Sequence, residues 1–130
     1  MYKIERKTSG YLLTFSGFVA KDEMIRWSEE SKSVLNREKE PHFGVIVDMR
    51  ELKPLPPDAQ EVMVRGQQQY KVKGMERSAV ILNNSVTTMQ FKRLAKESGI
   101  DAFERYIDAS ATANWTDAAV EWVKNAKEPA

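Results

Sequence analysis

The chain has 130 residues, no cysteine, and 20 Lys and Arg against 19 Asp and Glu, which gives a formal net charge of +1. The lack of cysteine excludes a disulfide scaffold, a thiolate metal site and a catalytic cysteine. The near-neutral charge argues against a dedicated nucleic-acid-binding protein. No apolar run approaches the roughly 20 residues of a membrane span, and the polar start shows no signal peptide. We therefore expect one cytoplasmic domain over residues 1–130.

The first half of the sequence predicts a hairpin, a helix and a central strand. Residues 2–6 alternate apolar and charged side chains, and residues 11–19 are rich in aromatic and branched ones, so two strands joined by a tight turn are indicated. Asp22 is the expected N-cap of the helix, whose apolar residues keep a helical spacing. The apolar run at residues 43–47, closed by Asp48, is typical of a strand covered on both faces.

The second half alternates helices and strands. Pro57 opens a helix that runs to about Val72, and Gly66 in its middle indicates close packing against the sheet. The remaining elements are a strand at residues 79–82, a helix at residues 86–98, a strand at residues 106–107 and a closing helix capped by Thr116 or Asp117. This order predicts an α/β fold with a mixed sheet of about five strands, flanked by four helices, in which right-handed crossovers follow an N-terminal β-hairpin.

The sequence carries no catalytic signature. Its six glycines form neither G-x-G-x-x-G nor a phosphate-binding loop, and no serine lies in G-x-S-x-G. His42 is the single histidine and is interpreted as a surface or capping residue. We assign the three tryptophans, Trp27, Trp115 and Trp122, to packing. Arg77 is assigned to a loose, solvated basic cluster. We therefore expect a protein that is not an enzyme and that uses no metal or cofactor.

Polar side chains follow three of the predicted strands. Asp48 and Arg50 follow the central strand, residues 83–85 the next one, and Asp108 the last. In open α/β sheets ligands bind at the carboxyl ends of the strands, so one interpretation is a polar binding crevice. In the other, the acids and asparagines only form the turns, or Asp48 pairs with Arg50.

Three segments resemble the SpoIIAA-like family. They are FGVIVDMREL at residues 43–52 with the proline-containing loop and helix after it, SAVILN at residues 78–83, and AAVEWV at residues 118–123. This family belongs with the STAS domains of bacterial anti-anti-sigma factors and shares a core with lipid-binding Sec14-type domains. The resemblance covers nearly the whole chain through element order and apolar pattern, and it implies a single SpoIIAA-like domain.

Signalling STAS proteins carry a phosphorylated serine or threonine at the start of the helix after the central strand. Residues 53–72 contain neither, so the resemblance implies a non-enzymatic regulatory or protein-interaction module without that switch. We expect an unidentified protein partner to bind at the loop before this helix. The sequence leaves open whether the protein forms a homodimer. The candidate partner-binding residues are Asp48, Met49, Arg50, Leu55 and Asp58.

The alternative is a domain that binds a small hydrophobic ligand or a lipid in an apolar pocket, as Sec14-type domains do. A cavity of about 300 Å³ or more would favour this alternative. An exposed apolar patch near Leu55 would favour a partner protein instead.

A last candidate site is the start of the helix at residues 86–98. Its first N–H groups lack intrahelical partners and attract anions, and no acid lies between Asn83 and Lys96. The alternative is that Ser85 caps the helix and water binds the remaining groups. The candidate anion-binding residues are Asn84, Ser85, Thr87 and Thr88.

Overall fold

The computed structural model describes residues 1–129, which form five strands and four helices in the predicted order. The elements are β1 (Tyr2–Lys7), β2 (Gly10–Gly17), α1 (Lys21–Asn36), β3 (Phe43–Leu52), α2 (Pro57–Lys73), β4 (Met75–Leu82), α3 (Ser85–Ser98), β5 (Glu104–Asp108) and α4 (Trp115–Asn125). Within residues 1–129, no helix is both long enough and apolar enough to cross a membrane.

The five strands form one mixed sheet in the spatial order β1-β2-β3-β4-β5. β1 and β2 pair antiparallel, with Lys7 opposite Gly10, and each later pair is parallel. Each strand lies beside the one before it, so right-handed crossovers place α1, α2 and α3 on the same face of the sheet. The predicted α/β sheet with an antiparallel hairpin at its edge is confirmed.

The main core lies between the sheet and these three helices. Because side chains alternate along a strand, Leu13 and Phe15 of β2 point into this core, as do Val45 and Val47 of β3. The helices meet them with fully buried side chains, among them those of Met24, Trp27, Leu35, Val62, Phe91 and Leu94.

A single helix, α4, packs on the opposite face of the sheet. Its Ala119 and Trp122 contact Ala79 and Ile81 of β4 and Ile107 of β5. A helix is about 10 Å wide and strands are about 4.8 Å apart, so one helix covers roughly two strands. Since α4 lies mainly over β4, the part of this face formed by β2 and the near side of β3 has no covering helix from residues 1–129.

The predicted N-caps of the first and last helices are wrong. Ala20 precedes α1, and Asp22 lies inside its first turn. A carboxylate there interacts favourably with the helix dipole but does not cap the helix. Asn114 precedes α4, so Thr116 and Asp117 are helical residues. In both cases the helix begins earlier than its most polar candidate cap.

β3 is longer than the sequence predicts. The apolar run ends before Asp48, but the strand continues to Leu52. Met49 and Leu52 still point into the core, and Arg50 neutralises the carboxylate of Asp48 on the other face. The polar residues therefore extend the strand instead of ending it.

Candidate functional site

A cavity of about 660 Å³ lies between α4 and the uncovered part of the sheet. Leu12 of β2, Ile46 of β3 and Ile81 of β4 line its floor. Val120 and Val123 line its wall on α4. We call the space bounded by these residues the α4 groove.

Two adjacent glycines shape the floor of the α4 groove. Gly10 of β2 is paired with Gly44 of β3, and both line the cavity. A Cβ atom on Gly10 would lie 1.9 Å from the backbone oxygen of Gly44, and one on Gly44 would lie 2.9 Å from Cβ of Val123. The strands and α4 approach this closely because neither position carries a side chain.

Three arginines, one each from β3, β4 and β5, hold α4 against the sheet. The guanidinium of Arg50 lies 4.2 Å from the ring centroid of Trp115, and that of Arg105 lies 4.2 Å from the ring centroid of Trp122. Nε of Arg77 donates to the Trp122 carbonyl at 3.0 Å. The helix is therefore fixed at its first turn and at its last, beside the cavity.

The assignment of Arg77 to a solvated basic cluster is wrong, because its guanidinium binds carbonyl groups at the end of α4. A signal for this contact exists in the sequence. Arg77 occupies the same face of β4 as Ala79 and Ile81, two and four residues further on, and both of these residues contact α4.

Asp48 lies near the first turn of α4, at one end of the groove. Its carboxylate accepts hydrogen bonds from Nε and Nη2 of Arg50 at 2.9 and 2.8 Å. Burial acts to raise the pKa of Asp48, but the hydrogen bonds from Arg50 outweigh it and hold the pKa below its usual value. Asp48 is therefore a charged but compensated group, as the pairing interpretation predicts.

The opposite end of the groove, at the amino ends of the parallel strands, is lined by cationic and hydroxyl side chains. Lys7 ends β1, Ser9 lies in the β1–β2 turn, His42 precedes β3, and Lys124 lies in the last turn of α4. Glu76 also lines this end and pairs with Nη2 of Arg77 at 3.1 Å. The sequence placed His42 at the surface, and it is exposed.

The other residues of the predicted crevice lie outside this cavity. Residues 83–85 do not line it, and neither does Asp108. The carboxylate of Asp108 accepts hydrogen bonds from the N–H and the hydroxyl of Ser110 at 2.9 and 2.6 Å. Asp108 therefore closes its own turn, and of the crevice residues only Asp48 belongs to the α4 groove.

Two of the candidate partner-binding residues are core residues. Met49 and Leu55 are each 3% exposed, so neither offers a surface to a partner. Asp58 is exposed in the first turn of α2, and Arg50 is partly exposed beside Trp115. Partner binding at this loop stays a prediction, and it depends on these two charged side chains together with Asp48.

Asn84, and not Ser85, caps α3. Its side-chain oxygen accepts hydrogen bonds from the N–H groups of Val86 and Thr87 at 2.9 and 3.1 Å. The Asn84 side chain therefore satisfies two of the N–H groups that lack intrahelical partners. The hydroxyl of Thr88 donates to the Asn84 carbonyl at 2.8 Å, and Thr87 is buried. Anion binding by these residues stays a prediction, in competition with the Asn84 cap.

No protein-family model matches this sequence, and a search of curated proteins finds no match. Among solved structures, the chain is similar to an uncharacterized protein of the DUF3478 family with a SpoIIAA-like fold from Shewanella loihica PV-4. The two are 16% identical over 95% of this chain and 92% of that chain, with a TM-score of 0.64. The protein TM1081, solved by NMR, is 9% identical over 89% of each chain, with a TM-score of 0.58. The chain therefore has the SpoIIAA-like fold that the resemblance implies.

Proposed function

We propose that the protein binds a small, largely apolar molecule in the α4 groove. The observation that carries this proposal is the cavity of about 660 Å³, which lies within the roughly 300–1,000 Å³ typical of small-molecule sites. It exceeds the volume of about 300 Å³ above which a cavity favours a ligand-binding domain. The competing criterion, an exposed apolar patch near Leu55, supports the second candidate below: Leu55 itself is buried, but Met89 is 72% exposed beside Gln90, whose side chain accepts a hydrogen bond from the Leu55 N–H at 2.8 Å.

The middle of the groove is suited to an apolar ligand. Leu12, Ile46 and Val120 are only partly buried, since none of the described side chains fills the space between them. A ligand there removes apolar surface from water at about 25 cal/mol per Å² of area, before the costs of association. This activity is binding alone and requires no reacting group.

The neutral dye N-phenyl-1-naphthylamine tests the proposal, because its fluorescence rises when it leaves water. We expect saturable binding with one dye per chain. Leu12→Trp from the floor and Val120→Trp from the wall fill the groove, and we expect each to abolish binding.

Val72→Trp is the matched control. Val72 is 84% exposed on α2, which lies on the other face of the sheet, so a tryptophan there adds the same apolar surface away from the groove. Thermal melts establish that all three variants are folded. Dye binding that is absent from the wild type, or unchanged in both groove variants, would contradict the proposal.

A second candidate is a cytoplasmic regulatory module that binds a protein partner at residues 48–58. It is supported by the exposed carboxylate of Asp58 in the first turn of α2, near the position where signalling relatives carry a phosphate. We expect Asp58→Asn to weaken affinity capture of a partner from the source cytosol while the melting temperature barely moves. Equal capture by both proteins leaves Asp58 with a purely structural role.

A further inference from the structure

The two ends of the α4 groove differ in charge. At the end near Trp115, the carboxylate of Asp48 is held in a bidentate ion pair by Arg50, whose guanidinium also lies over the Trp115 ring. Both charges of this pair are therefore compensated, and a ligand group at this end meets a neutral pair and an aromatic ring.

At the other end, Arg77 compensates both sources of negative charge. It pairs with Glu76 at 3.1 Å, and its guanidinium donates to the carbonyls of Trp122, Val123 and Lys124 at 3.0, 3.3 and 3.3 Å. These carbonyls form the negative pole of the α4 dipole. Arg77 bound to them weakens the repulsion of an anion by the end of the helix, and it shares its charge with Glu76.

Two ammonium groups remain at this end. Lys124 forms no ion pair within residues 1–129. Lys7 lies 3.4 Å from the carboxylate of Glu5, but the same carboxylate also lies 3.8 Å from Lys3, so one acid serves two lysines. The groove therefore has an excess of positive charge beside Lys7 and Lys124.

Lys7 and Lys124 both line the α4 groove at the same end of the sheet. Lys7 at the end of β1 is opposite Gly10, the first residue of β2. Gly10 is paired with Gly44, and Gly44 is paired with Arg77. All four residues therefore lie at the end of the sheet where the parallel strands begin. The contact of Arg77 with the Lys124 carbonyl brings the end of α4 to the same edge. Ser9 and His42 line the cavity between them and offer further hydrogen-bond donors.

We propose that the ligand of the α4 groove is an apolar molecule with one carboxylate, which binds between Lys7 and Lys124 while the apolar part lies on Leu12 and Ile46. This inference rests on the proposed function and adds the chemical class of the ligand to it. A single anionic group matches the uncompensated charge, and the neutral apolar middle of the groove excludes a second one.

Three probes with the same ten-carbon chain test the role of the charge: decanoate, 1-decanol and decylamine. Each competes with N-phenyl-1-naphthylamine for the groove at pH 8, below micelle-forming concentrations. We expect decanoate to bind on the order of tenfold more tightly than 1-decanol, and decylamine to bind most weakly. Because the lysines are exposed, the preference for decanoate should decrease at high salt.

The double variant Lys7→Ala/Lys124→Ala should bind decanoate and 1-decanol with affinities within about twofold of each other. Lys73→Ala/Lys96→Ala is the matched control, since it removes two exposed lysines from α2 and α3 on the other face and should keep the preference.

The outcomes separate this inference from the proposed function. If the dye binds in the groove but decanoate and 1-decanol bind equally to the wild type, the carboxylate assignment is wrong and ligand binding stands. The same holds if the preference for decanoate persists in Lys7→Ala/Lys124→Ala. If neither the dye nor any of the three probes binds, both proposals fail.

Discussion

A Cβ atom on Gly66 of α2 would lie 2.1 Å from Cζ3 of Trp27 on α1, so the indole ring packs directly on the glycine backbone. Trp27 is almost fully buried, and its ring also stacks on that of Tyr70, with 6.0 Å between the ring centroids. Gly66 therefore permits close contact between two helices, and not the contact with the sheet that the sequence predicts.

We expect Gly66→Ala to destabilise the protein, although alanine is the better helix former by about 1 kcal/mol. Overpacking a core costs about 1–3 kcal/mol, and a new Cβ atom at Gly66 must displace an indole ring that packs against Phe15 and Tyr70. The free energy of unfolding in urea should fall by up to about 2 kcal/mol, the overpacking cost less the gain in helix propensity. Gln68→Ala, at an exposed position of the same helix, changes helix propensity alone. A Gly66→Ala protein about 1 kcal/mol more stable than the wild type, which is the full gain in helix propensity, would show that the ring can shift without cost.

Glu104 is a buried carboxyl group at the edge of the main core. Its Oε1 accepts a hydrogen bond from the Ser78 hydroxyl at 2.9 Å, and its Oε2 lies 2.6 Å from the Tyr106 hydroxyl oxygen, which lies 3.2 Å from the Phe91 carbonyl. A protonated Glu104 can donate to Tyr106, which can then donate to Phe91. Burial raises the pKa of Glu104 to about 7, although hydrogen bonds from Tyr106 and Ser78 oppose the rise.

This raised pKa predicts lower stability at alkaline pH. The folded protein retains the proton of Glu104 up to about pH 7, whereas an unfolded chain loses it near pH 4.5. Stability should therefore fall as pH rises between these values, by on the order of 3 kcal/mol in total. Glu104→Gln should be more stable than the wild type at pH 8 and similar to it at pH 4, in urea denaturation at each pH. The exposed Glu61→Gln is the control, and identical pH profiles for Glu104→Gln and the wild type would contradict the argument.

Glu38 predicts the opposite pH dependence in a lower range. Its carboxylate accepts hydrogen bonds from Nε and Nη2 of Arg6 at 2.8 and 3.0 Å, from the Tyr11 hydroxyl, and from the Glu40 N–H at 3.0 Å. Burial alone would raise the pKa of Glu38, but these hydrogen bonds lower it to about 2. The stabilisation is therefore fully present above about pH 4.5 and is lost as pH falls toward 2.

We expect Glu38→Gln to lose about 1–2 kcal/mol of stability at pH 7, after allowance for solvent screening, and to differ little from the wild type at pH 2. Acid titration from pH 6 to pH 2, followed by circular dichroism, measures the change. Glu40→Gln is the matched control, because it keeps the backbone N–H that binds Glu38 and removes a nearby exposed carboxylate. An unchanged acid midpoint in Glu38→Gln would show that the network with Arg6 does not contribute.

The order of strands and helices was predictable because each element carries its own local pattern. The apolar runs at residues 43–47 and 79–82 lie in β3 and β4, as predicted. The ends of elements were less predictable because they depend on tertiary contacts. β3 continues through Asp48 since Arg50 on the same strand neutralises it, and a pattern of apolar residues alone does not report this pairing.

The α4 groove was not predictable, because the position of α4 over the sheet is set by contacts distant in the chain. Nε1 of Trp122 donates to the Ser78 carbonyl at 2.9 Å, across 44 residues of sequence, and Arg77 binds the Trp122 carbonyl. The sequence shows an amphipathic helix but not which strands it covers. The sequence signal for an uncovered surface was the presence of apolar residues on the face opposite the main core, among them Leu12 and Ile46. A single helix is too narrow to cover every apolar residue of that face.

The last prediction concerns the cap of α3. Asn84 accepts hydrogen bonds from two N–H groups of the first turn, and loss of such a cap costs about 1 kcal/mol. We expect Asn84→Ala to lower the free energy of unfolding by about this amount, Asn84→Asp to retain it, and Asn83→Ala, at the neighbouring exposed position, to have little effect.

The same variants test anion binding at this turn. The Asn84 side chain occupies the N–H groups of Val86 and Thr87, so its removal uncovers them. Phosphate should therefore shift the amide resonances of residues 85–88 more strongly in Asn84→Ala than in the wild type, in a titration to millimolar concentrations. Asn83→Ala should respond as the wild type does. If phosphate leaves the amides of Asn84→Ala unmoved, the first turn of α3 has no anion site, since no side chain then competes for its N–H groups.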